Sequence, residues 1–474
     1  MTRRDHSSTG TASEAGFGWV DDDVEGDAIP HLVIAWSLDE PHRLGETAAI
    51  AQACVLGRGA TPGNTGLPRA AFLRARPGKA DPQPALATRR LSRDQLRFAP
   101  KGSSLEVENL GRLALRHNGR QVKHATVKHG DVLALDGAFV FLLDLRQRLI
   151  PRLRAYPAST ASFAFGLPDP FGFIGECPTA WQLRDQLAFA AQATGHVLLH
   201  GESGVGKELA VATIHGLSSR AGRPLIARNA ATFPDSLVDA ELFGSRQGYP
   251  NAGSPQRAGL VGEANGGALF LDEIGELPEQ QQAHLLRVLD TGEYQPLGES
   301  KVCRSNFRLY AATNRPISRL KHDFAARFTN RIEVPDLNRR VADIPLLVSG
   351  IVLHDLASSG ASFARFIDDS GGTPRPRVDP LLIEALLSRT YTHHARELAH
   401  VLRVSATESR GNFLKLTPEV DDALGDKQRR PQEEPTSDQI REALAAAEGS
   451  KTEAARLLGL KNRFALLRLM KKER

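Results

Sequence analysis

The sequence predicts a multidomain protein that joins a β-sandwich, an α/β domain with a small helical lid, and an all-α helix-turn-helix module. Short apolar runs separated by turns predict the sandwich, and a strand, a glycine-rich loop and a helix in succession predict the α/β domain. A basic amphipathic pattern near the C-terminus predicts the third module. The predicted divisions are a disordered N-terminal segment 1–30, the sandwich 31–147, a linker 148–170, the α/β domain 171–410, a second linker 411–436 and the module 437–474.

Composition places the protein among folded cytoplasmic proteins. The 474 residues are enough for about three domains, and 41% of them are hydrophobic. No apolar run approaches the roughly 18 residues that a membrane span needs, so no membrane partner is expected. Cys54, Cys177 and Cys303 lie far apart, which fits free thiols in a reducing compartment and gives no sign of a cysteine metal site. The net charge of +5 is compatible with nucleic-acid binding.

The sandwich prediction depends on apolar runs that have the length of strands. These runs are Leu32–Trp36, Ala53–Leu56, Asp131–Leu135 and Ala138–Leu143. Glycine, proline and asparagine turns separate them, which is typical of antiparallel sheets packed face to face.

Five motifs occur in order in the turns of this region: Gly57-Arg58-Gly59, Leu91-Ser92-Arg93-Asp94-Gln95, Glu108-Asn109-Leu110-Gly111, Asn118-Gly119 and His129-Gly130-Asp131. Their order resembles that of the forkhead-associated (FHA) domain, a sandwich whose loops bind phosphothreonine peptides. The resemblance covers about 110 residues and implies that Arg58 and Ser92 contact the phosphate of a phosphorylated partner protein. Gln95 stands where the family often has histidine, and Leu113-Ala114-Leu115 replaces an Asn-Gly-Thr element. An alternative is a sandwich that docks on a partner, or on its own α/β domain, without phosphate.

A phosphate-binding loop is the strongest single motif. The apolar run Val197–Leu199 predicts a buried strand, and apolar residues at helical spacing from Leu209 to Leu217 predict the helix that follows the loop. Backbone N–H groups of such a loop and the helix N-terminus attract phosphate, and a lysine reaches the outer phosphates of ATP. The predicted cofactor-binding residues are Gly201, Glu202, Ser203, Gly204, Val205, Gly206, Lys207 and Glu208. Glu208 stands where a Mg²⁺-binding hydroxyl is usual, so Mg²⁺ must depend on other groups.

Acidic and polar residues follow two further predicted strands. Asp272 and Glu273 end the run Ala268–Leu271, and Asn314 ends the run from Phe307. Carboxyl ends of parallel strands form the ligand-binding edge of an α/β sheet, so these side chains are expected to meet there. Asp272 is predicted to hold Mg²⁺ directly or through water, Glu273 to orient and polarise the attacking water, and Asn314 to hydrogen-bond the γ-phosphate or that water.

Seven motifs in order make the α/β region resemble the AAA+ domain of bacterial enhancer-binding proteins, the activators of sigma-54 RNA polymerase. They are Phe173-Ile174-Gly175, Gly201–Glu208, Glu241-Leu242-Phe243-Gly244, Gly266–Glu273, Ala311–Arg315, Asp343-Ile344-Pro345 and Arg396-Glu397-Leu398. The resemblance covers about 235 residues. It implies that Arg327 is an arginine finger acting on a neighbouring subunit and that Arg396 of the lid contacts nucleotide. A finger in trans implies a closed homo-oligomeric ring, expected to be a hexamer.

One loop departs from that family's pattern. Where the family has Gly-Ala-Phe-Thr-Gly-Ala, which touches the sigma factor, the aligned residues here are Gly248, Tyr249, Pro250, Asn251, Ala252 and Gly253. Proline fixes φ and removes a hydrogen-bond donor, so this loop cannot pass through the same conformations. The sequence therefore leaves open whether sigma-54 is still engaged.

The C-terminal 38 residues predict three short helices: the first begins with Gln439–Leu444, the second is Glu453–Leu458 and ends at Gly459, and the third runs from about Asn462 to Lys472. This pattern, with a basic last helix, resembles the Fis-type helix-turn-helix domain that closes many enhancer-binding proteins. Residues at the start of the last helix are expected to face base edges, and lysines to meet phosphates. The predicted DNA-binding residues are Lys451, Thr452, Lys461, Asn462, Arg463, Arg468, Lys471 and Lys472. A solvated helical hairpin is the alternative.

Three functions fit these motifs. The first is an ATP-dependent transcription regulator of the sigma-54 activator type, with ATP and Mg²⁺ as cofactors, that binds an upstream DNA site and receives its input through the FHA-like domain. The second is a DNA-binding regulator whose rewritten loop no longer engages sigma-54. The third is a protein-remodelling AAA+ ATPase that uses its basic tail for localisation.

Overall fold

The computed structural model describes residues 28–61, 63–234, 236–249, 251–356, 361–425, 437–447, 450–457, 463, 466, 467 and 470. No helix among these residues has the length and apolar character needed to cross a bilayer.

Residues 29–146 form two antiparallel sheets. The strands are β1 (Ile29–Ser37), β2 (Thr47–Ala49), β3 (Cys54–Leu56), β4 (Leu73–Arg76), β5 (Lys79–Pro82), β6 (Leu96–Lys101), β7 (Ser104–Asn109), β8 (Leu115–His117), β9 (Arg120–Val122), β10 (His124–Val127), β11 (Val132–Leu135) and β12 (Phe139–Arg146). One sheet has the order β5-β4-β2-β1-β12-β11-β8-β9 and the other β10-β7-β6-β3. A shared apolar core, which includes Leu32, Phe98 and Phe141, joins them. We call this unit the sandwich. Each of the four predicted runs overlaps a strand: β1, β3, β11 and β12.

Both faces of the large sheet are buried around its centre. Side chains alternate along a strand, so Leu32 and Ile34 of β1 enter the core of the sandwich while Val33 and Trp36 join a different apolar cluster. That second cluster is formed largely by helices from residues 337–424. The unbroken apolar runs of β11 and β12 therefore reflect burial on two sides, which is more than a free sandwich requires.

The α/β body follows, and its sheet is parallel. Its elements are α1 (Pro178–Gln192), β13 (Val197–His200), α2 (Lys207–Leu217), β14 (Leu225–Asn229), α3 (Val238–Phe243), α4 (Gly259–Glu263), β15 (Ala268–Asp272), α5 (Glu279–Thr291), β16 (Glu293–Tyr294), β17 (Cys303–Arg304), β18 (Arg308–Thr313), α6 (His322–Ala325) and β19 (Asn330–Glu333). The parallel strand order is β14-β15-β18-β13-β19, and β16 pairs with β17 as a separate hairpin. Helices on the two sides of the sheet bury two apolar cores.

A helical lid completes the α/β unit. It contains α7 (Ile344–Gly350), a π-helical turn (Ile351–Leu356), a small hairpin of β20 (Ile367–Asp368) and β21 (Arg375–Pro376), α8 (Pro380–Leu387), α9 (His394–Glu408) and α10 (Pro418–Leu424). Val420 and Leu424 of α10 enter the lid core. Helix α10 thus occupies part of the segment 411–436 that the sequence predicted as a linker, because its apolar face has a partner in α9.

The segment 148–170, also predicted as a linker, carries no helix or strand but packs closely on the α/β body. Tyr156 and Phe163 lie against the Trp181 ring of α1. Arg184 and Asp169 form a fully buried ion pair at 2.8 Å. This segment is therefore a fixed strap between the sandwich and the α/β body.

Two helices are described at the C-terminus, α11 (Ser437–Ala446) and α12 (Lys451–Leu457). Ile440 and Ala443 of α11 pack with Ala454 and Ala455 of α12 and with Leu466. Small residues at the contact allow the two helices to approach closely. Most of the third predicted helix lies outside the described residues.

Candidate functional site

The glycine-rich loop lies between β13 and α2, as the sequence predicted. Gly204 and Gly206 have φ of 87° and 102°, backbone conformations that residues other than glycine rarely adopt. A Cβ on Gly204 would lie 2.3 Å from the carbonyl oxygen of His393, so the close approach of the lid also requires glycine. Lys207 Nζ donates to the carbonyl oxygens of Gly201 at 2.9 Å and Glu202 at 3.1 Å.

Electrostatics at Lys207 fit a phosphate-binding lysine. Burial lowers the pKa of Lys207, and the carboxylates of Glu273 and Asp272 oppose that effect. The lysine is therefore partly desolvated and faces the acidic edge of the sheet. A cation in this position interacts more strongly with phosphate than one in bulk water.

The predicted residues Asp272, Glu273 and Asn314 are neighbours at the carboxyl edge of the sheet. Strands β15 and β18 are parallel neighbours, with Leu271 opposite Ala311. Asp272 Oδ1 accepts the backbone N–H of Glu273 at 3.0 Å, and Glu273 Oε2 accepts the backbone N–H of Asn314 at 3.3 Å. Glu273 has φ of 50°, a left-handed conformation that is costly for a side chain and is often found where strain serves function. Within the described residues, neither carboxylate forms a salt bridge.

The lid contacts the glycine-rich loop through three residues at the start of α9. Arg396 Nη1 donates to Ser203 Oγ at 2.7 Å, and the backbone N–H of Ala395 donates to the carbonyl oxygen of Gly204 at 3.2 Å. His394 Nε2 lies 2.7 Å from Glu202 Oε2. The sequence predicted the approach of Arg396 but not the contact of His394, since nothing in the spacing of two residues 192 positions apart indicates it.

Glu397 fixes the start of α9. Its carboxylate accepts backbone N–H groups of Thr392 at 2.9 Å and His393 at 3.0 Å, and it pairs with Arg389. Although burial opposes ionisation, these backbone N–H groups and the Arg389 guanidinium hold the pKa of Glu397 below its usual range. Anchored in this way, the first turn of α9 holds Arg396 toward the loop.

Arg327 lies apart from these residues in its own chain. Its guanidinium forms an ion pair with Asp290 of α5, with Nη2 and Oδ2 at 3.0 Å. The hydrogen bond from Arg327 to Asp290 raises the pKa of the arginine. The side chain is 44% exposed, which leaves it accessible to another molecule.

Comparison with known proteins gives a family match. The Sigma-54 interaction domain model matches residues 173–338. The transcriptional regulatory protein ZraR of Escherichia coli (strain K12) is 33% identical over 327 residues, which cover 66% of this chain and 70% of ZraR. The chain belongs to the sigma-54-dependent transcriptional activator family.

Two further proteins match comparable shares of the chain. The Nif-specific regulatory protein of Azotobacter vinelandii is 34% identical over 324 residues, which are 62% of this chain and 58% of that protein. Among solved structures, NtrX from Brucella abortus in complex with ADP is 25% identical with a TM-score of 0.45, and the match covers 63% of this chain and 69% of that one.

The rewritten loop, residues 248–253, lies between α3 and α4. Gly248 donates its N–H to the carbonyl oxygen of Ser254 at 2.8 Å, which closes the loop at its base. Tyr249 is 39% exposed, and its ring lies over Gly298 in the connection between β16 and β17. Asn251, Ala252 and Gly253 are exposed, and Pro250 lies outside the described residues.

The residues predicted to contact phosphate in the sandwich are neighbours. Arg58 donates its backbone N–H to the carbonyl oxygen of Ser92 at 3.0 Å, and Ser92 Oγ accepts the backbone N–H of Arg112 at 3.1 Å. Gln95 is completely buried beneath them and donates to Asn109 Oδ1 at 2.8 Å. The glutamine therefore supports the loop from inside, where it is inaccessible to a ligand.

Only part of the predicted DNA-binding set can be located. Lys451, Thr452 and Arg463 are exposed. Lys461, Asn462, Arg468, Lys471 and Lys472 lie outside the described residues.

Proposed function

We propose that this protein is a DNA-bound transcription regulator of the sigma-54 activator type that is driven by ATP hydrolysis. The observation that carries the proposal is the convergence of the glycine-rich loop, the carboxylates of Asp272 and Glu273, and Arg396 of the lid on one edge of the parallel sheet. Such an edge is the usual ligand site of an α/β sheet, and its residue types are those of phosphoryl transfer.

The loop residues fit the phosphates of ATP. Backbone N–H groups of the loop and the N-terminus of α2 would bind phosphate oxygens, with Lys207 on the outer phosphates. Lys207 now donates to two carbonyl oxygens of its own loop, and phosphate would replace them as partners. Arg396, bonded to Ser203 Oγ, is close enough to join the same phosphate shell.

Asp272 fits a Mg²⁺ site that is completed by the nucleotide. No group of three metal-ligating side chains occurs within the described ranges, and Mg²⁺ in such sites uses one or two carboxylates with phosphate oxygens. Held there by Asp272, the ion would neutralise charge on the phosphates.

Glu273 has the chemistry and position to activate water. Its carboxylate is held by the backbone N–H of Asn314, so it is oriented at the edge where the γ-phosphate would lie. It would polarise a water that attacks the γ-phosphorus in line with the departing ADP oxygen, and Asn314 would hold the same water or the γ-phosphate. The positive charge on Lys207 stabilises the transition state.

Arg327 would complete the site of the neighbouring subunit. It is exposed, and among the described residues its side chain bonds only to Asp290 and not to the loop of its own chain. A finger that acts across a head-to-tail contact requires a closed ring, for which we propose six subunits. Asp290 would orient the guanidinium before that contact forms.

DNA and a protein partner would determine where and when the ring assembles. The exposed Lys451, Thr452 and Arg463 belong to the module proposed to bind an upstream DNA site. Arg58 and Ser92, which are neighbours in the sandwich, would bind the phosphate of a partner protein.

A second candidate function follows from the rewritten loop. Tyr249 covers Gly298, and the loop lacks the family's Phe-Thr pair. This geometry favours a regulator that hydrolyses ATP but acts on a partner other than sigma-54.

Transcription in vitro with purified sigma-54 holoenzyme, ATP and a template carrying the protein's own upstream site tests the proposal. The account predicts ATP-dependent transcripts that Lys207→Ala abolishes. ATP hydrolysis without transcripts, in a system where a known activator gives transcripts, would instead support the second candidate.

A further inference from the structure

The outer face of the large sheet of the sandwich packs against the lid through an extensive apolar contact. Val33 and Trp36 of β1 and Leu142 of β12 share one buried cluster with Leu386 of α8 and Leu398 of α9. Trp36 is 4% exposed, and its Nε1 donates to the carbonyl oxygen of Val378 at 3.2 Å, at the entry to α8. An aromatic ring with its polar atom satisfied is the kind of anchor that holds a permanent interface.

A charged contact lies beside the apolar one. Arg116 of β8 donates through Nη2 and Nε to Glu384 Oε2 of α8, at 2.8 and 3.2 Å. Glu384 is 5% exposed, so this ion pair is shielded from solvent. The third nitrogen of the guanidinium, Arg116 Nη1, pairs with the carboxylate of Asp136 in the turn after β11. One guanidinium therefore joins the lid to a turn of the sandwich.

The same turn holds the loop that precedes Ser92. Arg90 donates to the carbonyl oxygens of Gly137 at 2.6 Å and Asp136 at 2.9 Å. Arg90 and Ser92 belong to one short connection before β6, and Arg58 binds it from the other side. Hydrogen bonds and short stretches of backbone thus connect the candidate phosphate contacts to α8.

On the lid side, α8 is joined closely to the residues that touch the glycine-rich loop. Tyr391 Oη donates to the carbonyl oxygen of Leu386 in the last turn of α8, at 2.9 Å. Three residues later, His394 lies against Glu202, and Arg396 against Ser203. A shift of α8 would therefore move these contacts.

We propose that the sandwich is a permanent structural layer of the ATPase lid, and that Arg116 couples ligand binding at residues 86–92 to the nucleotide site. This inference rests on the proposed ATPase function. It adds the set of contacts through which a ligand of the sandwich would influence the nucleotide site. A ligand on the loop that contains Ser92 shifts Asp136 and Arg116, and through Glu384 it biases the lid. Because coupling is reciprocal, nucleotide must alter the same sandwich loop.

Amide hydrogen exchange of the full-length protein, with and without ADP, tests the coupling. Arg116→Gln removes the charged contact, and Arg97→Gln is the matched control, since Arg97 pairs with Glu108 on the other sheet. In the wild type and in Arg97→Gln, ADP is expected to slow exchange both in residues 394–408 and in residues 86–92, the latter about fivefold. In Arg116→Gln, ADP is expected to slow exchange in residues 394–408 as before but to leave exchange in residues 86–92 unchanged.

Two results would overturn the inference. One is ADP binding, established separately by calorimetry, with no change in residues 86–92 of the wild type. The other is an ADP-dependent slowing of exchange in residues 86–92 that is as large in Arg116→Gln as in the wild type. In the absence of nucleotide, amide exchange in residues 380–387 must also be faster in Arg116→Gln than in Arg97→Gln. Equal exchange rates in the two variants would refute the claim that the Arg116–Glu384 contact holds the sandwich on α8. Absence of ADP binding would refute the proposed ATPase, while the nucleotide-free comparison still tests the docking.

Discussion

His394 Nε2 of the lid lies 2.7 Å from Glu202 Oε2 of the glycine-rich loop. The backbone N–H of Leu337 approaches His394 Nδ1 at 3.4 Å, so Nε2 carries the proton and donates it toward the carboxylate. His394 is 1% exposed and has φ of 50°, and both features fix the imidazole in place. The lid and the loop are thereby joined by a side-chain contact between two separate parts of the fold.

Replacing His394 by alanine is expected to weaken ADP binding by about 10-fold, because one lost charge-assisted hydrogen bond is worth roughly 1.4 kcal/mol and the loop loses its organisation. Calorimetry measures the effect. His400→Ala, an exposed histidine of the same helix, is the control. A double-mutant cycle with Glu202→Gln must be non-additive, and strict additivity would show that the two side chains do not interact.

Mixing inactive subunits tests the role of Arg327. Arg327→Ala subunits keep a complete glycine-rich loop, and Lys207→Ala subunits keep the finger. Their mixture is expected to recover part of the ATPase activity that each lacks, since some contacts between subunits combine intact halves. Asp290→Asn, which removes the ion-pair partner, should lower activity less than Arg327→Ala does. No recovery at any ratio, with assembly confirmed by light scattering, would exclude a finger in trans.

Two substitutions near the C-terminus separate base contacts from phosphate contacts. Arg463→Ala should cost about 1–3 kcal/mol of discrimination between the specific site and random DNA if Arg463 contacts a base edge. Lys471→Ala should weaken binding to all sequences alike and reduce the salt dependence. Fluorescence anisotropy at several salt concentrations distinguishes the two effects. Unchanged DNA affinity after deletion of residues 437–474 would remove this module from the account.

Acid sensitivity should originate in part from His31. Burial, with help from Arg146 and against Asp144, lowers the pKa of His31 to about 4. The unfolded chain takes up this proton near pH 6.5, whereas the folded chain does so only near pH 4, so the stabilising contribution is present above 6.5 and is lost as the pH falls toward 4.

From pH 7 to pH 5 this histidine alone should lower the free energy of unfolding by about 2 kcal/mol. Urea unfolding of the wild type and of His31→Gln measures the difference. His196, whose pKa burial and Arg308 also lower to about 4, acts in the same direction, so the variant retains part of the pH dependence. An identical pH dependence in both proteins would show that His31 is not buried as described.

Local sequence patterns were sufficient to predict four of the sandwich strands (β1, β3, β11 and β12), the glycine-rich loop between a strand and a helix, and the proximity of Glu273 to Asn314. Each depends on period-2 or period-3.6 apolar spacing, or on the rule that parallel strands end at one edge. The interface of Trp36 and Arg116 with the lid could not be predicted, because an unbroken apolar strand does not identify what covers its second face. Helix α10 was not predicted, because it is short and its few apolar residues can be recognised as a buried face only when the position of α9 is known.

Hydrolysis of ATP by Glu273→Gln tests the central claim most directly. The substitution keeps the shape and the contact with Asn314 but removes the negative charge that polarises water. The account predicts that the variant binds ATP as tightly as the wild type and retains it unhydrolysed, with turnover lowered by about 100-fold or more. Turnover equal to that of the wild type, measured as released phosphate, would contradict the proposed site.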